Sequence, residues 1–392
     1  MNRQPYEKPP RWWGPKMSAG WIRFWRPFRI RTQLKKHRLL EVEVRGLEHV
    51  RDAVDRGEGV LVTPNHASHA DCHALYAAAD ELGYPVYVMI AWQVFARDGW
   101  LRAMLLRHHG GFSIDREGTD LSAIRQAKEI LQSHKNPLFI FPEGDVYHCN
   151  ARITPFREGP AAIALMAAKK ADRPVVCIPC AVKYTYLEDP TPELLELMDE
   201  LERAIMWRPR PDLPLPERIY HFAEGILSLK EIEYLGHTRT GSVRDRLGAF
   251  IDSLLGRLES RYDVQPADST VPERVKTLRQ HAIKRMQDMA EEDPRRKQSE
   301  QDLGDLFVAV QAFSYPGNYV AEEASIERMA ETLDKFEEDV LGHKTARIRG
   351  TRKATVTFGE PIPIEPQRQK KEAAAALTRI MEERVQALLD GE

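Results

Sequence analysis

Leu61-Val62-Thr63-Pro64-Asn65-His66-Ala67-Ser68-His69-Ala70-Asp71 is the stretch from which the rest of the chain can be read. Gly59 to Thr63 is short, apolar and rich in β-branched residues, which predicts a buried strand. Asp71 to Leu82 predicts a helix, with Ala70, Leu75, Ala78 and Leu82 on its apolar side. His66 therefore falls where a strand hands over to a helix, a common place for reactive side chains in α/β proteins. Five positions separate it from Asp71. On an unbroken helix that spacing would turn the carboxylate away, but a loop followed by a first helical turn can fold it back onto the imidazole. A carboxylate so placed fixes the ring tautomer and stabilises the imidazolium, leaving the other nitrogen to take a proton.

Outward from this stretch, strand and helix signals alternate. Strands are predicted near Glu41–Arg45, Gly59–Thr63, Pro85–Ala91, Gly111–Ile114, Pro137–Phe141 and Pro174–Val182, with helices between them, notably Thr119 to Ser133 and Arg157 to Lys170. Such alternation predicts an α/β architecture, a mixed, mostly parallel sheet flanked by helices. The polar motifs fall at strand ends, where loops converge on one edge of a sheet.

Those motifs, taken in order, resemble the PlsC-like glycerolipid acyltransferases. Asn65-His66-x-Ser68-x-x-Asp71 is similar to the family's His-x4-Asp signature. Gly111-Phe112-Ser113-Ile114-Asp115-Arg116 is similar to its second motif, Phe141-Pro142-Glu143-Gly144 to its third, and Pro155-Phe156-Arg157-Glu158-Gly159 to the segment that follows. Val176-Cys177-Ile178-Pro179-Cys180 is similar to the fourth. The resemblance covers roughly residues 40 to 186. A strand at Ala354–Phe358 followed by Gly359-Glu360-Pro361-Ile362 resembles the element that closes the family's domain.

The resemblance implies the family's fold and acyl transfer from acyl-CoA or acyl carrier protein to a lysophospholipid or related glycerolipid, as in phospholipid biosynthesis. It implies a thioester co-substrate but no cofactor and no metal. His66 and Asp71 would be the catalytic pair, with His66 as general base and Asp71 orienting it. Asn65, Ser68, Arg116, Glu143, Gly144, Arg157 and Pro179 would contact substrate: the two arginines through forked bonds to a phosphate, and Pro179 on the acyl-donor side. One departure stands out. Where the family usually continues Phe-Pro-Glu-Gly with Thr-Arg, this chain has Asp145 and Val146. An anionic Asp145 would repel an acceptor phosphate unless Arg116, Arg152 or Lys183 offsets it, which brings other hydroxyl or amine acceptors into view.

The net charge of -2 conceals an asymmetry. Residues 1–38 carry eleven Lys or Arg against Glu7 alone, so the remainder is strongly acidic. Trp12, Trp13, Trp21, Phe24, Trp25 and Phe28 interleave with those cations, a composition suited to an anionic membrane surface. Packing on the neighbouring domain is the competing expectation, Pro27 argues against one long helix, and nucleic-acid binding is not expected. Four cysteines without a disulfide pattern, no cleavable signal and no apolar run of about 20 residues predict a cytoplasmic protein, peripheral at the inner face of the membrane.

Four regions are expected: a basic aromatic segment (1–38), an acyltransferase core (39–186), a large helical insertion (187–350), and a closing strand and helix (351–392). Within the insertion, Ile326, Met329, Leu333, Phe336 and Val340 recur at helical spacing, while Glu291 to Asp302 reads as a charged linker or loop. Two other readings stay open. One is a catalytically silent membrane-binding module of the same fold. The other is a metallohydrolase using His66, His69, Asp71, Cys72, His73, His108, His109 or His148. Cys177 and Cys180 have redox spacing, but in a strand residues three apart point to opposite faces, which predicts two structural thiols.

Overall fold

A computed structural model of the chain describes residues 10–391, other than 98, 117, 119, 266–268, 288, 291, 366–371 and the side chain of Arg97. Thr119 and Glu291, which open two of the segments read above, lie outside the described residues, as do residues 1–9. The chain divides into two compact units, one of Lys8–Glu188 with Ile348–Glu392, the other built on Asp189–Arg347.

The first unit holds the sheet. Its strands are β1 (Leu39–Arg45), β2 (Gly59–Pro64), β3 (Tyr87–Ala91), β4 (Gly111–Ile114), β5 (Leu138–Phe139), β6 (Val175–Tyr186), β7 (Arg352–Phe358) and β8 (Ile362–Ile364). They lie in the order β1-β7-β6-β2-β5-β3-β4, with β8 also on β6. β2 is parallel to both its neighbours, β5 and β6, while β7 and β8 run antiparallel to β6. The sheet is thus mixed and mostly parallel. The loops after β2, β4 and β5 therefore open at the same edge, where α/β sheets present ligand sites.

Alternation along the strands gives each face its own core. Val60 and Val62 of β2 and Val176, Ile178, Cys180, Val182 and Tyr184 of β6 meet helices α2 (Leu47–Asp55) and α3 (Asp71–Leu82), after an N-terminal helix α1 (Ala19–Lys36). Leu61 and Cys177 point the other way. After the short helices α4 (Trp92–Arg97) and α5 (Gly99–His108), that second face is covered by α6 (Leu121–Ser133), α7 (Gly159–Ala168) and the C-terminal helix Ala373–Asp390. Cys177 and Cys180 sit in different cores, and burial pushes the Cys177 thiol up to about 12. All four cysteines are free thiols, as expected from the lack of a disulfide pattern and from the strand position of Cys177 and Cys180.

Local chemistry sets the helix ends. Asp120 Oδ1 accepts the Ala123 N–H at 2.9 Å and starts α6. α3 stops at Gly83, whose φ of 82° lets its N–H turn back to the Ala79 carbonyl. α1 corrects the expectation about Pro27. The helix runs through it, because Pro27 is exposed and water can take the carbonyl that loses its N–H partner. Among the described residues no helix is long and apolar enough to cross a membrane.

The second unit is helical: α8 (Thr191–Ile205), α9 (Leu215–Leu235), α10 (Val243–Tyr262), α11 (Val271–Gln287), α12 (Pro294–Phe313), α13 (Tyr319–Glu322) and α14 (Ile326–Val340). Its core includes Phe250, Leu254, Leu258, Leu278 and Leu306. A cavity of about 150 Å³, lined largely by apolar residues such as Ala223, Leu247 and Phe336, lies between its helices. Within the expected linker at 291–302, residues 294–302 instead form the start of α12. Asp293 caps it by accepting the Arg295 N–H at 2.8 Å, Pro294 takes the first position, and buried Asp302 accepts bonds from Arg261, Tyr262 and Gln298. The charges that made the stretch read as solvated are spent on a cap and on internal partners.

Candidate active site

β2 ends in Thr63-Pro64, and the loop that follows is anchored before His66 is reached. The Asn65 N–H goes to the Cys180 carbonyl at 3.3 Å, its Nδ2 to the Val182 carbonyl at 3.1 Å, and its Oδ1 accepts the Val182 N–H at 2.7 Å. Fully buried, this amide prolongs the β2–β6 ladder by one side chain and offers nothing to a ligand. Asn150 grips the backbone of Tyr184 in the same way, with both bonds at 2.6 Å.

His66 projects just beyond. Its Nδ1 lies 2.7 Å from Asp71 Oδ2, its ring stacks on Phe141 at 4.0 Å, and 18% of its side chain reaches solvent. Asp71, in the first turn of α3, is fully buried and held from three sides. The Ser68 N–H reaches Oδ2 at 3.0 Å beside the imidazole, and the Tyr184 hydroxyl reaches Oδ1 at 2.7 Å. Ser68 therefore serves the loop: its N–H binds Asp71, its hydroxyl accepts the Ala70 N–H at 3.2 Å, and its carbonyl takes the Asp71 N–H. With Nδ1 occupied, Nε2 is the ring nitrogen left for chemistry.

Glu143 follows β5 and turns inward. Oε1 accepts the His66 N–H at 2.7 Å, and Oε2 accepts both the N–H and the hydroxyl of Thr154. Burial pushes its carboxyl up, against the pull of these donors. It ties the histidine loop to the 154 loop from inside, so both its oxygens are taken by protein groups. Gly144 has φ 79°, a left-handed conformation that favours glycine, and a Cβ there would push on the Arg157 side chain, whose Nε it would meet at 2.5 Å. Arg116, after β4, donates from Nη1 to the Gly144 carbonyl and lies 3.5 Å from Asp145 Oδ2. Arg157 Nε is buried and has no hydrogen-bond partner among the described residues. Two guanidiniums thus converge on Gly144, one of them partly balanced by Asp145.

Of the residues expected to offset Asp145, Arg116 does so, whereas Lys183 Nζ is 2.8 Å from the Leu389 carbonyl at the end of the C-terminal helix. Pro179 is buried in β6, opposite Thr63, and its carbonyl takes the Gly359 N–H at 2.8 Å. The other histidines go several ways. His108 and His109 turn Nδ1 toward carbonyls of their own helical turn, at 2.8 Å from Met104 and Leu105. His73 lies against His37 with ring centroids 4.6 Å apart and the planes tilted by 40°, and His69 meets His148 edge-on at 5.4 Å.

Tyr184 and Thr154 were not singled out in the sequence. The signal for Tyr184 was present: it alternates with Cys180 and Val182 on the β6 face that α3 covers. Thr154 gives none, since a threonine in an irregular loop looks like any other.

The N-terminal aromatics divide. Trp13 stacks on Phe95, Trp12 meets Phe112 edge-on, and residue 13 exchanges bonds with Ser113 at the β4 edge. Phe24 and Phe28 of α1 stay 64% and 55% exposed.

Residues 41–183 match the model of the Acyltransferase family. No curated protein matches the chain.

Proposed function

Residues 41–183 form an acyltransferase-family domain, and from that premise we propose that it transfers a fatty acyl group from acyl-CoA or acyl carrier protein to a lysophospholipid or related glycerolipid. The observation that carries this reading is the His66 Nδ1–Asp71 Oδ2 contact of 2.7 Å, which leaves Nε2 for a substrate proton. His66 removes the proton of an acceptor hydroxyl as its oxygen attacks the thioester carbonyl. The tetrahedral intermediate then collapses, the C–S bond breaks, and the imidazolium returns the proton to the departing thiolate. Asp71 holds the ring throughout. No step requires a metal or prosthetic group.

Arg116 and Arg157 around Gly144 form the acceptor subsite, where Arg157 Nε has no partner among the described residues. With Asp145 beside Arg116, the subsite suits a headgroup of lower negative charge than a phosphomonoester. The thioester acyl chain approaches over the same sheet edge. The protein works at the inner face of the membrane, to which exposed Phe24 and Phe28 and the cations of α1 lead it. Labelled transfer from acyl-CoA to a panel running from lysophosphatidic acid to zwitterionic and uncharged lysolipids tests the reading. The expected preference is for the less anionic acceptors, and absence of transfer to every acceptor, from carrier protein as well as CoA, overturns it.

A further inference from the structure

Asp71 is the buried partner of His66, and its second oxygen is not left to solvent. Tyr184, on β6, donates its hydroxyl to Oδ1 at 2.7 Å. The phenol is itself fixed in place. The Asn150 amide holds the Tyr184 backbone from both sides, and the Arg352 guanidinium of β7 lies 5.1 Å over the ring. Burial beside the Asp71 carboxylate pushes the phenol well above its usual value, so it stays a donor. Besides Tyr184, the groups facing Asp71 are His66, the Ser68 N–H and the thiols of Cys72 and Cys180, both raised by burial.

We propose that Tyr184 is a positioning residue for acyl transfer, acting through Asp71: its hydroxyl fixes the carboxylate plane and draws off part of its charge, and so sets how tightly Oδ2 holds His66 Nδ1. A carboxylate with two oxygens can rotate about its Cβ–Cγ bond. A donor on Oδ1 removes that freedom and keeps Oδ2 in the imidazole plane. The same donor competes for the negative charge, since hydrogen bonds in a chain polarise one another. Without it, Asp71 would hold the Nδ1 proton more tightly but less well aimed, and Nε2 would lose its fixed direction toward the substrate.

The catalytic meaning rests on the acyl-transfer reading, so the deciding measurement is one that needs no turnover. The Nδ1 proton of His66 gives its own NMR resonance, displaced downfield by the bond to Asp71. In Tyr184→Phe this resonance moves further downfield, and a fluorinated tyrosine built in at position 184, a more acidic phenol, moves it the opposite way. Where transfer is measurable, Tyr184→Phe lowers kcat by about tenfold, the size of one mispositioned hydrogen bond, while KM changes by less than about twofold. A resonance that both replacements leave where it was, with Asp71→Asn abolishing it as the control, overturns the proposal whatever the enzyme transfers. A resonance that shifts in a protein transferring no acyl group would leave this coupling standing and overturn the function instead. Should Tyr184→Phe fold poorly, the fluorinated tyrosine, which keeps the hydroxyl, decides between these outcomes by itself.

Discussion

Glu143 holds a carboxylate where only 3% of it meets solvent, and it is tied to two loops rather than to a cation. Its carboxyl titrates above the ordinary 4.5 because of burial, so the folded state binds a proton more readily than the unfolded chain. The sign follows from linkage: this group's contribution to stability is greatest below 4.5 and is lost as pH rises through the folded-state value. Urea unfolding of Glu143→Gln between pH 4.5 and 8 should show a flatter pH dependence than wild type, with about 1 kcal/mol lost at low pH for the Thr154 bond an amide nitrogen cannot accept. A parallel pair of curves would contradict this. The strand-to-helix junction around His66 was legible in the sequence, since Gly59–Thr63 and Asp71–Leu82 carry opposite periodicities on either side of it. The use made of Glu143 was not, because its partner lies 77 residues away and no local pattern reports which way a side chain turns at a strand end. Asn65 misled for a related reason. Its substrate contact was implied by the family resemblance, and only the register with β6 shows its amide serving as backbone.

Between α1 and α3 the rings of His37 and His73 lie 4.6 Å apart, tilted by 40°, and among the described residues neither Nδ1 has a hydrogen-bond partner. Burial lowers His37 from 6.5 to about 3 and His73 to about 4. Here the unfolded chain binds more protons, so the stability tied to the neutral rings is complete above 6.5 and is lost as pH falls toward the folded-state values. At pH 5 each would withdraw up to about 2 kcal/mol, and thermal unfolding of His37→Gln with His73→Gln should fall less steeply between pH 7 and 5 than wild type. Equal slopes would contradict it. Elements were legible where periodicity was strong and misread where composition stood in for geometry. α1 passes through Pro27 because the ring faces water, and α12 begins inside a charged stretch because Asp293 and Pro294 cap it. β6 outran its predicted end at Val182 to reach Tyr186, since β7, more than 160 residues further on, pairs with its second half.

Across the molecule charge and fold are separately arranged. The sheet-bearing unit is made from both ends of the chain, Lys8–Glu188 and Ile348–Glu392, and carries the basic aromatic segment whose Arg26 and Arg29 pair with Asp80. Those bonds and the stacking of Trp13 account for part of that composition; Phe24 and Phe28 touch Trp25 and each other yet leave more than half of their surface exposed. Co-sedimentation with anionic vesicles should weaken about tenfold in Phe24→Ser with Phe28→Ser, and further on raising the salt, while neutral vesicles bind little. Unchanged sedimentation would remove the membrane from this account. The proposed reaction has His66, held by Asp71, as the base of an acyl transfer. The most direct test is the single-turnover rate of acyl transfer from acyl-CoA to the preferred acceptor, in wild type and in folded His66→Ala. The rate should fall by at least about a hundredfold in His66→Ala, the lower end of what a positioned general base supplies; equal rates in the two proteins would rule His66 out as the base.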